Sequence, residues 1–249
     1  MNLKKTILLL LGISIILFSA CSNGIEVEIS KETLSSIPLE EGITNREISM
    51  GKSGTLSYTL SVPKIKEGNE VPFVIALHWA GYYTQHFSED YLRGLAEPGL
   101  HNLGAIIFAP DVPGDSWSDE LSEDMIIEFL DAAKQAWPID PNKIIITGHS
   151  MGGNGTWYLV DRHPNLFSAC IPMASVPNGN LTGEVPTYII HGKKDELFDY
   201  RDAQNAYNFL KDKGASVKIS IAENLSHYQG FSYVPFLRLA ANWIETTIW

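Results

Sequence analysis

The feature that most constrains the fold of this chain is a regular alternation of short apolar segments with longer amphipathic ones. Most of the short segments are apolar on both faces, as in the buried strands of a parallel sheet, and the longer ones have the apolar period of a helix. The predicted strands span residues 57–63, 71–78, 105–109, 143–147, 168–173, 187–191 and 217–221. The predicted helices span residues 88–96, 120–137, 154–162, 200–213 and 234–246.

This order of segments predicts an α/β fold with a doubly wound, mostly parallel sheet and helices on both faces. The connections are short, so we expect no large lid domain. The chain has 249 residues, of which 45% are hydrophobic and 19% charged. That length supplies one sizeable core and is short for two domains. We therefore expect one domain, spanning residues 47–249.

The first 46 residues differ in character from this domain. Two lysines precede an apolar run at 7–18, which has the length of a secretory signal and is short for a membrane-spanning helix. Segment 17–21 resembles a bacterial lipobox, so residues 1–20 are expected to be a lipoprotein signal peptide and Cys21 the lipidated N-terminus. The alternative is an ordinary secretory peptide cut near Ala20. Residues 21–46 are expected to be a tether, although part of this segment also suits a strand on the domain edge.

From this N-terminal segment we expect the protein to be exported and anchored to the bacterial cell envelope by its lipid, or, in the alternative, to be secreted or periplasmic. Charge and cysteine content then limit the possible partners. A net charge of −11 disfavours binding to nucleic-acid phosphates. Cys21 and Cys170 are the two cysteines, so we expect no disulfide framework, and no repeated Cys/His spacing indicates a metal site. The sequence gives no oligomeric state.

A glycine-rich pentapeptide carries the clearest chemical signal. Gly148-His149-Ser150-Met151-Gly152 follows a predicted buried strand and opens a predicted helix. It matches G-x-S-x-G, in which a sharp turn exposes the serine hydroxyl and the glycines avoid collisions with neighbouring chain. Ser150 is therefore the candidate nucleophile, and the Met151 amide at the helix N-terminus is a candidate oxyanion donor. The alternative is a glycine-rich turn with an incidental serine.

A serine nucleophile requires a base and a carboxylate that orients the base. Asp195 follows the predicted strand at 187–191, at the sheet edge where sites of α/β proteins form. Glu196 and Asp199 compete for this role, and Asp195 could instead cap a helix. Of the seven histidines only His227 follows Asp195, so His227 is the candidate base. The order serine, aspartate, histidine is that of hydrolases with the G-x-S-x-G turn.

Residues after the first buried strand suggest the remainder of the site. His78-Trp79-Ala80-Gly81 resembles the His-Gly-x-Gly element of esterases, with Trp79 in place of the first glycine. By this resemblance Ala80 supplies the second oxyanion amide, and we interpret His78 as structural. Aromatic residues near these elements predict a pocket wall suited to aryl or sugar esters. The pocket candidates are Trp79, Tyr82, Trp117 and Trp157.

With these residues placed, residues 47–249 resemble bacterial serine hydrolases of the α/β-hydrolase fold. The nearest groups are the small phospholipase/carboxylesterase and polyhydroxybutyrate-depolymerase-like esterases, and segment 148–157 also resembles predicted peptidases related to prolyl oligopeptidase. The resemblance implies a carboxylesterase for small-molecule, aryl or glycan esters that works through an acyl-enzyme, without a metal or organic cofactor. In it Ser150 attacks the carbonyl, His227 transfers the proton and Asp195 orients His227. The alternatives are a serine peptidase or amidase, and a non-catalytic lipoprotein that binds at the cell surface.

Overall fold

A computed structural model of the protein describes residues 29–82 and 84–249. The expected signal peptide and the expected lipidation site Cys21 lie outside the described residues. Within residues 29–249, Tyr83 apart, no helix combines the length and the apolar character needed to cross a membrane.

The described part of the chain forms one eight-stranded sheet. Its strands are β1 (Gly42–Ser49), β2 (Thr55–Val62), β3 (Val71–Leu77), β4 (Ile106–Pro110), β5 (Ile139–His149), β6 (Ala169–Met173), β7 (Thr187–Gly192) and β8 (Val217–Ala222). Their spatial order is β1-β2-β4-β3-β5-β6-β7-β8. Strand β2 pairs antiparallel with β1 and with β4, and the other neighbouring pairs are parallel. The predicted doubly wound, mostly parallel sheet is confirmed.

Helices cover both faces of this sheet. They are α1 (Lys31–Ser35), α2 (Ser88–Tyr91), α3 (Glu97–Leu100), α4 (Glu120–Ala136), α5 (Met151–Arg162), α6 (Tyr200–Asp212) and α7 (Val234–Trp243). A π-helical segment, Leu92–Ala96, joins α2 to α3. Helices α1, α4 and α5 pack on one face, and α2, α3 and α7 pack on the other. Helix α6 lies against β7 and β8.

The alternation of side chains along β3 shows why its sequence is apolar throughout. Phe73, Ile75 and Leu77 point into the core under α4 and α5. Val74 and Ala76 point into the opposite core under α3 and α7. All five side chains are fully buried. Because successive strand residues face opposite sides, a strand covered on both faces needs an unbroken apolar run.

Part of the expected tether at 21–46 is folded, because residues 29–46 are described as part of the domain. Ser30 caps α1 by accepting a hydrogen bond from the Thr33 amide at 3.1 Å. Leu34 of α1 is fully buried in the core that α4 also lines. Strand β1 pairs with β2 along its whole length. Residues 29–46 therefore belong to the folded domain, because they supply core side chains and an edge strand.

A buried carboxylate joins α4 to α5, the helix that follows Ser150. Glu123 accepts hydrogen bonds from the Tyr158 hydroxyl, Arg162 Nε and His163 Nε2, each at 2.6 Å. Its side chain is only 7% exposed. Burial raises the pKa of Glu123, but the hydrogen bonds from Arg162, Tyr158 and His163 outweigh it and hold the pKa below its usual value. The ionised carboxylate therefore stabilises the packing of α5 on α4.

We expect Glu123→Gln to lower the free energy of unfolding at pH 7 by about 1–3 kcal/mol, because a buried network loses its charge. A group with a depressed folded-state pKa stabilises the fold above its unfolded-state pKa, and that stabilisation is lost as pH falls through the folded-state value. The difference between the native protein and the variant should therefore shrink below about pH 4. Urea unfolding at pH 7 and pH 3.5 measures it, with Tyr158→Phe as a one-bond control. A difference that stays constant between the two pH values would contradict this interpretation.

Candidate active site

The register of the central strands brings the two loops that carry the candidate residues together. Strands β3 and β5 are parallel neighbours, with Leu77 opposite Gly148. Strand β6 flanks β5 on the other side, with Met173 opposite His149. Because all three strands end at the same edge, the segment after Leu77 and the turn at Ser150 leave the sheet side by side.

Ser150 occupies a strained turn between β5 and α5. Its φ is 58° and its ψ is −118°, a region that residues with a side chain seldom adopt. A Cβ on Gly152 would lie 1.9 Å from the Leu77 carbonyl oxygen, and one on Gly148 would lie 2.1 Å from the Gly152 carbonyl oxygen. Both positions therefore require glycine, since a backbone atom fills the space of the side chain. The Ser150 amide donates to the Met173 carbonyl at 3.0 Å, which fixes the turn against β6.

A continuous series of hydrogen bonds joins the side chains of Asp195, His227 and Ser150. His227 Nδ1 lies 2.8 Å from Asp195 Oδ2, and His227 Nε2 lies 2.7 Å from Ser150 Oγ. A carboxylate only accepts, so Nδ1 carries the proton and Nε2 accepts from the serine hydroxyl in the neutral ring. His227 is 4% exposed. This is the geometry of a nucleophile, a base and an orienting group.

Asp195 is fixed by contacts that its two competitors lack. Its Oδ1 accepts from the amides of Leu197 and Phe198 at 2.9 and 2.8 Å. Burial raises its pKa, but the hydrogen bonds from His227, Phe198 and Leu197 outweigh burial and hold the pKa below its usual value. Glu196 instead accepts from the His227 amide, and Asp199 caps α6. The structure thus places Asp195, and neither competitor, on the imidazole.

Two further histidines, His149 and His191, lie beside Asp195 and His227 and are neutral. His149 packs 5.0 Å from the Tyr233 ring centroid and 5.4 Å from that of His227, and burial lowers its pKa to about 3. His191 is fully buried, donates from Nε2 to the Phe198 carbonyl at 3.0 Å and lies 3.6 Å from Asp195 Oδ2. Burial also lowers the pKa of His191. Both rings therefore surround Asp195 and His227 without adding positive charge.

The loop after β3 is organised by His78 and Trp117. His78 Nδ1 donates to the Trp79 carbonyl at 2.7 Å, and its Nε2 accepts from the Val112 amide at 3.1 Å. Trp117 Nε1 donates to the His78 carbonyl at 2.9 Å. Burial lowers the pKa of His78 to about 4, so the ring is neutral and both of its nitrogens are used in the loop. This loop brings Ala80 to the cleft beside Ser150.

A cleft of about 550 Å³ opens over Ser150. Segment 228–232, which was not among the predicted site residues, forms much of its wall together with Leu197 and His149. The available signal was the pair of aromatic residues that follow His227, Tyr228 and Phe231. The lining residues are Trp79, Ala80, His149, Ser150, Leu197, His227, Tyr228, Gln229, Gly230, Phe231 and Ser232.

Three of the four aromatic pocket candidates lie elsewhere. Trp117 is 1% exposed and packs in the core against Gly155, with its polar nitrogen bonded to the loop after β3. Trp157 is 5% exposed and packs with Ile189 under α6. Tyr82 is 99% exposed and does not line the cleft. The expected wall is therefore corrected: Trp79 alone of the four lines the cleft. In the part of the chain that is described, no cluster of three His, Cys, Asp or Glu residues is arranged to hold a metal ion.

Comparison with known folds agrees with this topology. A family model for the alpha/beta hydrolase fold matches residues 87–184. The structure of a thermostable esterase superposes with a TM-score of 0.68 at 22% identity, over 82% of this chain and 62% of that chain. The chain has the α/β-hydrolase fold. A ferulic acid esterase gives a TM-score of 0.68 at 16% identity, over 84% of this chain and 99% of that chain.

Proteins of related sequence match parts of this chain. An acetylxylan esterase of Coprinopsis cinerea is 25% identical over 134 residues, which are 48% of this chain and 35% of that protein. The bifunctional acetylxylan esterase/xylanase of Neocallimastix patriciarum is 28% identical over 35% of this chain and 13% of its own length. An acylaminoacyl peptidase of Pyrococcus horikoshii shares the fold, with a TM-score of 0.63 at 17% identity over 84% of this chain and 42% of that chain. The matches to the two acetylxylan esterases span only 35% and 13% of those proteins, and the structural likenesses show the α/β-hydrolase fold.

We expect Gly152→Ala to lower the free energy of unfolding by about 3 kcal/mol or more, because the added methyl meets the fixed backbone of β3. Gly179→Ala is the matched control, since a Cβ there meets only the Asp161 carboxylate at 3.2 Å. Its effect should stay within about 0.5 kcal/mol. Chemical unfolding of both variants measures the difference, and equal midpoints would show that the turn tolerates a side chain.

Proposed function

We propose that the protein is a carboxylesterase with Ser150 as nucleophile, His227 as general base and acid, and Asp195 as the orienting carboxylate. The observation that carries this proposal is the pair of 2.7 and 2.8 Å contacts that joins the three side chains. The strained φ of Ser150 supports it, because such strain persists where the surrounding structure enforces it and is concentrated at functional sites.

The proposed reaction proceeds in two halves. Ser150 Oγ attacks the ester carbonyl while His227 Nε2 takes its proton, and the amides of Met151 and Ala80 are the proposed donors to the oxyanion. The imidazolium then gives that proton to the alcohol oxygen, which leaves an acyl group on Ser150. Water, deprotonated by His227, attacks the acyl-enzyme, and Ser150 regains its proton as the acid leaves.

The low pKa of Asp195 contributes to the proposed mechanism. The carboxylate stays ionised at every pH at which imidazole is the base, so it stabilises the imidazolium that forms on His227. His149 and His191 stay neutral beside it. Positive charge therefore develops on His227 alone among these three histidines.

A serine peptidase or amidase is the second candidate, favoured by the fold shared with the acylaminoacyl peptidase. Amide cleavage requires protonation of a poorer leaving group, and the same three residues would supply it.

We also propose that the protein is exported and lipid-anchored through Cys21. The basic, apolar and lipobox-like segments of residues 1–21 support that proposal.

We expect a fluorophosphonate probe to label the protein produced from residue 22 onward, because the probe reacts with an activated serine. Ser150→Ala should abolish labelling, and His227→Ala should slow it by a factor on the order of 10³ or more. The native protein should hydrolyse short p-nitrophenyl esters, and the two variants should lose this activity. Labelling that survives Ser150→Ala would remove Ser150 from the proposal. A folded native sample without labelling would favour the non-catalytic binding lipoprotein.

We expect Asp195→Asn to reduce kcat for p-nitrophenyl butyrate by a factor on the order of 10³ or more, because an amide no longer fixes the imidazole tautomer. Asp199→Asn is the matched control, since Asp199 is a nearby carboxylate that caps α6 and bonds Arg201. Its kcat should equal that of the native protein. An equal loss in both variants would mean that the loop, and no specific carboxylate, supports activity.

A further inference from the structure

The lining of the cleft lacks any formally charged side chain, counted over the residues that the structure describes. Its polar groups are neutral hydroxyls, an amide and imidazoles. Asp195, which contacts the lining residue His227, is fully buried and already accepts from His227, Leu197 and Phe198. Glu196 bonds the His227 amide. The lining residues themselves therefore offer no counter-charge to a charged group on a bound molecule.

A charged substrate would lose hydration in this cleft without gaining a partner. Burying an unpaired charge costs far more than burying a neutral polar group. An anionic group is disfavoured further by the net charge of −11, which repels anions at longer range. The cost falls on any charge that sits near the scissile bond, whether it belongs to the acyl or to the alcohol part.

Exposed apolar side chains at the same cleft favour substrates that carry an apolar group. Leu197 is 56% exposed, Tyr228 75% and Phe231 52%. All three line the cleft. Removing large apolar side chains from water by covering them with an apolar part of a ligand is favourable. An apolar group on the substrate would cover these faces.

Trp79 makes the apolar wall rigid. Its ring lies 5.2 Å from Tyr91, 5.6 Å from His149 and 5.4 Å from Phe231, measured between centroids. A Cβ on Gly230 would lie 2.7 Å from this ring, so the turn that follows His227 closes tightly over it. The packed ring therefore presents an apolar face to the cleft, which cannot replace the hydrogen bonds that a charged group makes to water.

We propose that the cleft selects esters whose acyl and alcohol parts are uncharged and apolar, and that it rejects esters with a charge on the part that enters the cleft. This inference rests on the proposed esterase function and narrows it to a substrate class. A neutral acyl chain or aryl ring is accepted, whereas the same chain or ring with a carboxylate or an ammonium group is rejected.

Matched esters test the selection. The acyl series is p-nitrophenyl hexanoate, 6-aminohexanoate and the adipate half-ester, which share a chain of six carbons and differ in charge. The alcohol series is phenyl acetate against 4-acetoxybenzoate. Each kcat/KM is divided by the rate constant for hydroxide hydrolysis of the same ester. In at least one series we expect the neutral ester to exceed its charged counterpart by about 30-fold or more.

A charge placed in the cleft should change this preference. Leu197→Arg should raise the ratio of kcat/KM for the anionic to the neutral ester by about 10-fold, because it supplies the missing counter-charge. The matched control is Leu239→Arg, because Leu239 is 55% exposed and lies on α7, outside the cleft. Phe231→Lys repeats the test at a second position if Leu197→Arg does not fold. The control ratio should stay at the native value.

The outcomes separate the two proposals. Hydrolysis of neutral and charged esters at equal normalised rates in both series would overturn the selection while leaving the esterase intact. The selection is also overturned if both arginine variants shift the ratio alike, since the effect then comes from overall charge. Failure to hydrolyse any ester, together with absent fluorophosphonate labelling, would overturn the proposed function itself.

Discussion

The contact between the first turn of α5 and the end of β3 is the constraint on which the site depends. Gly152 approaches the Leu77 carbonyl so closely that no side chain fits between them. This approach lets the turn at Ser150 stand directly beside the loop that carries Ala80. A wider separation would move the proposed oxyanion amides apart. The packing that holds Ser150 in its strained conformation would also be lost.

The electrostatics of the site follow from burial of one carboxylate among three imidazoles. Asp195 keeps a low pKa because three hydrogen bonds outweigh the effect of burial. His149 and His191 respond to the same burial in the opposite way, because a cation is disfavoured there and neither ring is bonded to the carboxylate as closely as His227 is. Within this group His227 has a carboxylate at 2.8 Å on one side and a hydroxyl at 2.7 Å on the other. Of these three imidazoles, His227 is therefore the one that joins Asp195 to Ser150.

The sequence allowed the buried strands and the Ser150 turn to be predicted because both depend on local signals. Apolar runs identify strands covered on two faces, and G-x-S-x-G reflects a steric requirement of a few consecutive residues. Strand β1 was missed because an edge strand with Asn45, Arg46 and Glu47 lacks such a run. Trp117 was misplaced because its burial depends on Gly155, distant in sequence and small enough to receive it. Long-range packing of this kind leaves no local pattern.

In the aromatic wall of the cleft, the large side chain of Trp79 is accommodated by a glycine at a distant position, Gly230. Esterases with the His-Gly-x-Gly element, which this chain resembles, have a glycine where it has Trp79. The ring finds room here because Gly230, far along the chain, has no side chain to meet it. Phe231 then packs on the ring from the same turn, and its own ring fits only because Gly94 lacks a Cβ. Bulk added in the loop after β3 is thus offset by glycines elsewhere, so the shape of the cleft is a property of three segments that meet only in the folded chain.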